Sequence, residues 1–402
     1  MAPVLPQPQA LSFPEYALKA RQTNQFQDTS DELDYVRFGY FGEIGGLLAA
    51  VKKSIRDHQL KEEQSQLVSE ELGDALWYLF ATAHLLGIGP NDLGDECIKG
   101  LRKRFGDNEL SPNFPVHFRQ IDGILNTHRE SSELDRSKQL GTLAHTAGVL
   151  ANQTQAQLRA QSAPSMREHF GILLIEWALT CRSFRLNVED IARNNLEKIA
   201  SRWPGENKTF RPFFDPDSIY PEHEQLPRRF SIEFIERGTR ESGHVVQRLS
   251  GVFIGDRLTD NIHEPDDYRF HDVFHLAYIA YLGWSPVLRG LLKRKRKSKP
   301  QIDENEDGAR AMIIEEGLAT WIFNHAKRRD FYNDVAEGTL EYGLLKQIKS
   351  MVEGYEVEDC KLWQWELAIL KGFEMFRFLK EHRGGIISVG NPPIFSTRQK
   401  WS

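Results

Sequence analysis

From residue 13 to residue 105 the chain places apolar residues at a helical period, and no strand-like alternation interrupts them. Four helices are expected, over about 13–25, 31–57, 62–86 and 90–105. Ser12 and Glu15 stand at capping-box spacing with Pro14 in the first turn. Gly87 and Gly89-Pro90 end the third helix and open the fourth. Phe38, Phe41, Leu47, Leu48 and Val51 are expected to form the buried stripe of the second helix. Leu67, Leu72, Leu76, Leu79 and Ala83 should form that of the third. Such a segment folds as a helical bundle, preceded by a flexible arm over residues 1–12.

Acidic residues interrupt this pattern where a core-facing helix should carry none. Glu43 lies in Phe41-Gly42-Glu43-Ile44-Gly45, and Glu70, Glu71 and Asp74 lie in Glu70-Glu-Leu-Gly-Asp74-Ala-Leu-Trp-Tyr78. Glu71 with Asp74 and Glu70 with Asp74 have i,i+3 and i,i+4 spacing and so share a helix face. Two packed helices can bring Glu43 opposite them. Close carboxylates repel by roughly a few kcal/mol per pair at an effective dielectric near 20. A hard divalent cation removes that penalty, and Mg²⁺ prefers such oxygens while keeping waters and phosphate oxygens in its shell. The same spacing also suits a solvated acidic helix face.

Gly42-Glu43-Ile44-Gly45 followed by Glu70-Glu71-Leu72-Gly73-Asp74 and Trp77-Tyr78 resembles the all-α nucleoside triphosphate pyrophosphohydrolases of the MazG type. Phe13 to Gln25, with Glu15-Tyr16-Ala17, is similar to the opening helix of that family, so the resemblance covers about residues 13–105. The family motif is ExxE, a spacer, then ExxD. Glu43 matches its first acid, and Glu71 and Asp74 match the ExxD pair. Gly46 replaces the second acid, and Glu70 is the candidate to supply the missing oxygen. The resemblance implies a Mg²⁺-dependent enzyme (with Mn²⁺ as a substitute) that cuts (d)NTP to (d)NMP and pyrophosphate. Lys52 and Lys53, two to three turns after Glu43, are candidates for a phosphate contact, although a solvated basic helix end explains them as well.

The pattern then recurs. Phe38 to Ala49 aligns with Leu140 to Ala151, identical at Gly39/Gly141, Gly46/Gly148, Leu48/Leu150 and Ala49/Ala151. Glu70 to Phe105 aligns without gaps to Glu168 to Trp203, with apolar positions matched in order. In this second copy His145, His169 and Ile172 stand where Glu43, Glu71 and Asp74 stand in the first, so it lacks the acidic set. A pseudo-dimer is expected, in which Asn195 or Lys198 of the second copy reaches the nucleotide.

After Pro204-Gly205 the texture shifts. Phe230, Ile232 and Phe234 alternate with polar residues and Val245 to Ile254 is a second β-like run, so a hairpin is expected. Helices should follow at about 266–283, 307–328, 333–352 and 358–381, with an irregular tail after Arg383-Gly-Gly385. His271 and His275 stand at i,i+4 with Asp272 beside the first, and Glu315 and Glu316 interrupt an apolar helix that ends near His325. Such residues from two helices can make a metal or acid/base site, or hydrogen-bonded polar groups in a core. The basic run within Lys293–Lys299 precedes Asp303-Glu-Asn-Glu-Asp307. It suits a self-paired loop, or a contact to nucleotide phosphates or nucleic acid.

The composition, 402 residues with 40% hydrophobic, 27% charged and a formal net charge of −6, excludes global disorder and a wholly basic nucleic-acid coat. Cys97, Cys181 and Cys360 are too scattered for a disulfide framework or a cysteine zinc site, so a reducing cytoplasm is expected. Neither a signal peptide nor a membrane span is expected. The expected fold is mainly α. A MazG-like bundle (13–107), a connector (108–134) and a degenerate MazG-like repeat (135–205) precede a mostly helical α+β C-terminal domain (206–402). The preferred activity is nucleotide pyrophosphohydrolysis in a homo-oligomer. The alternative is a nucleotide-sensing regulatory or defence protein whose degenerate N-terminal site serves a C-terminal effector. A third option puts the chemistry at His271, Asp272 and His275.

Overall fold

The computed structural model describes residues 9–25, 30–58, 61–107, 114–128, 135–205, 208–210, 219–239, 242–390 and 394–398. Most of the expected N-terminal arm and two stretches of the connector lie outside these residues. The chain divides into two compact units, Met1–Ala200 and Ser201–Ser402.

The first unit is helical. Its elements are α1 (Phe13–Arg21), α2 (Glu32–Arg56), α3 (Lys61–Leu85), α4 (Pro90–Phe105), α5 (Phe118–Thr127), α6 (Arg136–Asn152), α7 (Gln155–Ala160), α8 (Ala163–Ser183) and α9 (Val188–Arg202). Ser12 caps α1 by accepting the Glu15 N–H at 3.2 Å, and Pro14 lies in its first turn. Gly89 precedes Pro90 at the head of α4, and Gly106 ends that helix in the left-handed region. The aligned segments 38–49 and 140–151 both fall in helices, α2 and α6. Segments 70–105 and 168–203 both run through a helix, a turn and a second helix.

These helices share one core. α2 packs on α3 and α6, α8 packs on α4 and α6, and α1 packs on α3 and α4. Trp177 of α8 is fully buried and donates its Nε1–H to the Leu72 carbonyl at 2.8 Å. Asp122 of α5 accepts the backbone N–H groups of Val188 and Glu189 at 2.8 and 3.0 Å, satisfying the start of α9. The inward stripe of α2 differs from the expected one. Leu33, Val36, Tyr40, Ile44, Leu47 and Ala50 are buried, whereas Phe38, Phe41 and Leu48 are 51, 44 and 37% exposed. The helix carries apolar residues on more than one face, and packing against α3 and α6 selects the face that includes Ile44 and Leu47.

The second unit is α+β. Strands β1 (Arg229–Arg237), β2 (His244–Leu249) and β3 (Val252–Leu258) open it. They lead to α10 (Asp272–Leu282), α11 (Pro286–Leu291), α12 (Pro300–Asn305), α13 (Ala309–Lys327), α14 (Tyr342–Met351) and α15 (Leu362–His382). β4 (Gly384–Gly390) and β5 (Ile394–Arg398) complete it. The second β-like run is two strands, since Ser250 and Gly251 take positive φ and turn the chain between β2 and β3. The expected irregular tail is a pair of strands. The antiparallel sheet has the order β3-β2-β1-β4-β5, with Phe230 opposite Val389 and Ile232 opposite Ile387.

The Gly384-Gly385 pair hides this strand in the sequence, and sterics explain the pair. A β-carbon at Gly384 would stand 2.6 Å from the Phe234 carbonyl oxygen, and one at Gly385 2.7 Å from the Phe378 ring. α10 and α15 pack against β4 and β5 and against each other. Their apolar faces join Ile232, Phe234, Val245, Ile387 and Val389 in the core. Among the described residues no helix is long and apolar enough to cross a membrane.

Candidate active site

In the first unit α2 and α3 bring Glu43 and Glu71 into hydrogen-bond contact. Burial, the Asp74 charge and the Glu71 charge push the Glu43 carboxyl up to about 8, so Glu43 carries the proton and donates. Burial also pushes Glu71 up. Gly46 is the physical reason Glu71 can lie here. A β-carbon at position 46 would stand 2.2 Å from Glu71 Oε2, so the Glu71 carboxylate fills the space a side chain would need.

α9 closes the cluster. Asn195 donates its Nδ2–H to Asp74 Oδ1 at 3.1 Å. Tyr16 of α1 donates its hydroxyl to Asn195 Oδ1 at 2.8 Å, which fixes that amide. Lys198 donates to Glu70 Oε1 at 3.0 Å and also to Asp74 Oδ2. Gly73 allows this approach, since a β-carbon there would stand 3.1 Å from Asn195 Cβ. Glu43, Glu70, Glu71, Asp74, Asn195 and Lys198 therefore form one half-buried cluster. Tyr16 belongs to it too, and nothing in the sequence pattern marks Tyr16, because its role depends on α9.

Lys52 and Lys53 are not brought to these acids. They lie nine and ten residues beyond Glu43, roughly 13–15 Å along the helix axis, and both are exposed. Of the residues aligned with Glu43 and Asp74, His145 is exposed and Ile172 is 44% exposed.

The donor set of the cluster is oxygen alone, which suits a hard cation. The crowding that raises Glu43 is the strain such a cation relieves. The acids are spread more widely than a tight cage, however. Among the described residues one group of three His, Cys, Asp or Glu has its ligand atoms all within 4.8 Å, and it is His271, His275 and Glu316 in the second unit. A shell completed by water and phosphate oxygens tolerates the wider spacing.

In the second unit α10 carries Asp272 and His275, with His271 immediately before it, and α13 carries Glu315 and Glu316. His271 Nδ1 lies 2.9 Å from the Tyr268 carbonyl oxygen, and the two rings stack with centroids 4.2 Å apart. His275 Nδ1 lies 2.8 Å from Glu315 Oε1, while Glu315 Oε2 accepts the Val287 N–H at 2.8 Å. Glu315 is 0% exposed and His275 1%. His271 Nε2 lies 3.2 Å from Asp272 Oδ1 and 3.8 Å from Glu316 Oε2. His275 Nε2 lies 3.5 Å from Glu316 Oε1 and has no hydrogen-bond partner among the described residues. Gln247 of β2 holds the other oxygen of Asp272.

His325 belongs elsewhere, contrary to expectation. It bonds the Tyr332 hydroxyl at 2.6 Å and pairs with Glu341 at 3.1 Å, because it lies near the end of α13, beyond the turns that carry Glu315 and Glu316. The basic run is partly internal. Arg296 is buried between Asp307 and Glu356, although Lys293, Lys297 and Lys299 are exposed.

Residues 210–392 match the family model described as the MazG C-terminal domain. That match lies in the second unit, whereas the motif resemblance lies in the first. The chain is 30% identical to the Gene 37 protein of Mycobacterium phage L5 over 79 residues, which is 19% of this chain and 69% of that protein. No solved structure matches.

Proposed function

The chain belongs to the MazG family, and from that premise we propose that its first unit is a Mg²⁺-dependent nucleoside triphosphate pyrophosphohydrolase, releasing pyrophosphate and a nucleoside monophosphate. The observation that carries this reading is the gathering of Glu43, Glu70, Glu71 and Asp74 from α2 and α3 beside Asn195 and Lys198 of α9, which bond to Asp74 and Glu70. Four acids gathered on apolar helices destabilise the metal-free fold and suit a cation.

Once Glu43 has released its proton to solvent, Glu43, Glu71 and Asp74, assisted by Glu70, would hold Mg²⁺ or Mn²⁺, which would neutralise phosphate charge and acidify a water. Lys198 turns its ammonium from Glu70 and Asp74 toward a phosphate oxygen. Asn195, fixed by the Tyr16 hydroxyl, keeps Asp74 oriented. Glu70, released from Lys198, would offer one oxygen toward the ion and accept the proton of the attacking water on the other. In this reading the helices of residues 135–205 are a degenerate tandem copy that lends Asn195 and Lys198 to the first.

Pyrophosphate release from a panel of (d)NTPs, compared with that of Glu71→Gln, tests the proposal. A loss of roughly 100-fold or more is expected in the variant, matching several kcal/mol of charge stabilisation. Equal rates in the two proteins would sink it.

A second reading has its own support. Gly46 leaves the motif one acid short, and Lys198 already neutralises two of the others. A site of that kind serves a nucleotide sensor, with the second unit as effector. Saturable nucleotide binding without pyrophosphate release would select it.

A further inference from the structure

We propose that His271, His275 and Glu316 form a binding site for a divalent transition metal in the second unit, separate from the acidic cluster of the first. The bonds of the two imidazoles place both ring lone pairs on the same space. His271 Nδ1 faces the Tyr268 carbonyl, which can only accept, so Nδ1 carries the hydrogen. His275 Nδ1 faces Glu315 Oε1 and does the same. In the neutral rings both Nε2 atoms are then bare acceptors, and both point at carboxylate oxygens, of Asp272 and Glu316 for one and of Glu316 for the other. Acceptor facing acceptor calls for a positive species between them: burial lowers the His275 pKa but the Glu315 and Glu316 carboxylates raise it further, so in the metal-free protein a ring proton takes the place a cation would fill. His275 Nε2 is the second, independent sign, being buried without a hydrogen-bond partner among the described residues.

The spacing suits a metal ion. Two ligands about 2.0–2.1 Å from a tetrahedral ion stand roughly 3.3 Å apart. The Nε2-to-Glu316 separations are 3.5 and 3.8 Å, and the three ligand atoms lie within 4.8 Å of one another. The surroundings supply the support that ligating histidines receive, a carbonyl on one ring and a buried carboxylate on the other. Glu315 is thus a positioning residue, itself fixed by the Val287 N–H, and Glu316 is the ligand. Two nitrogens and one carboxylate favour Zn²⁺ or a first-row neighbour over Mg²⁺, which takes oxygen. Three protein donors leave a position for water, and the Glu316 side chain, 43% exposed, gives that position a route from solvent.

The test uses the full chain, stripped of metal by chelation and titrated with Co²⁺, whose visible band reports nitrogen ligation. One Co²⁺ per chain with a strong band is expected, displaced by Zn²⁺ and untouched by excess Mg²⁺. His271→Gln and Glu316→Gln should abolish the band, and Glu315→Gln should weaken binding by about 10–100-fold. Glu71→Gln should leave the band unchanged, which separates this site from the proposed nucleotide site. Glu316 is partly exposed, so its variant tests the ligand set even if a histidine variant fails to fold. No band at saturating Co²⁺, or a band that persists in Glu316→Gln, would overturn the proposal. So would displacement of the band by Mg²⁺, since the ion would then be held by oxygens and not by the imidazoles.

Discussion

At position 46 even one methyl group would collide with the Glu71 carboxylate. Gly46→Ala must therefore push that carboxylate off Glu43. Because the obstacle is the far end of a flexible side chain, the fold should survive with a nearly unchanged melting temperature. Pyrophosphate release should nonetheless fall by about 10-fold or more, the scale of a misplaced catalytic contact. A Gly46→Ala protein with full activity would show that Glu71 does not act from this position. Glu43 gives a second test. Its carboxyl is raised from an ordinary 4.5 to about 8 in the fold, first by burial and then by Asp74 and Glu71. The protonated form is favoured by folding, so its contribution is full below about pH 4.5 and disappears as the pH climbs through 8. Thermal unfolding of the metal-free protein should show the loss between about pH 5 and 9, and Glu43→Gln should flatten it. Mg²⁺ should restore stability at the alkaline end. The acids could be read from the sequence because apolar neighbours surround them. Tyr16 and Gln247 could not, since their partners lie on other elements.

Helix and strand patterns were legible where one periodicity dominated. α3 and α4 span the expected residues, although Val68 and not Leu67 is buried in α3, and α1 begins at its cap but ends at Arg21, short of the expected Gln25. In α2 the apolar residues cover more than one face, so the helix was evident but its phase was not, and Phe38, Phe41 and Leu48 turned out exposed. β4 was obscured by its opening glycines, which exist because Phe234 and Phe378 leave no room for a side chain. α9 depends on an acceptor supplied by another helix. Asp122→Ala would leave the Val188 and Glu189 N–H groups without it, at a cost of about 1–2 kcal/mol. The same variant should loosen Asn195 and Lys198 against Asp74. A lowered melting temperature with weaker nucleotide binding is expected, and an unchanged melt would show that α9 is held by its apolar face alone.

Each unit carries its own core and its own cluster. All six residues of the proposed nucleotide site lie within Met1–Ala200. A chain ending at residue 205 should therefore fold, release pyrophosphate and show no Co²⁺ band. A folded but inert fragment, checked by circular dichroism, would mean that the nucleotide site needs the second unit. Removal of residues 135–205 is a harsher change. It takes away Trp177, which is buried and bonded to Leu72, and unfolding rather than slower turnover is expected. The change of texture near Pro204 lies close to the boundary between the two units, but the packing of α6 and α8 against α2 and α4 was not legible, because side-chain interlock leaves no periodic trace.

In the second unit β1 receives one neighbour from the adjoining hairpin and the other from β4, after α10 to α15 have been made. A growing or clipped polypeptide that stops at Arg383 presents half of β1 as a bare row of amides and carbonyls, a template for strands of other molecules. Premature termination there would yield a seed for clumping, not merely a smaller domain, and cellular quality control would meet it as such.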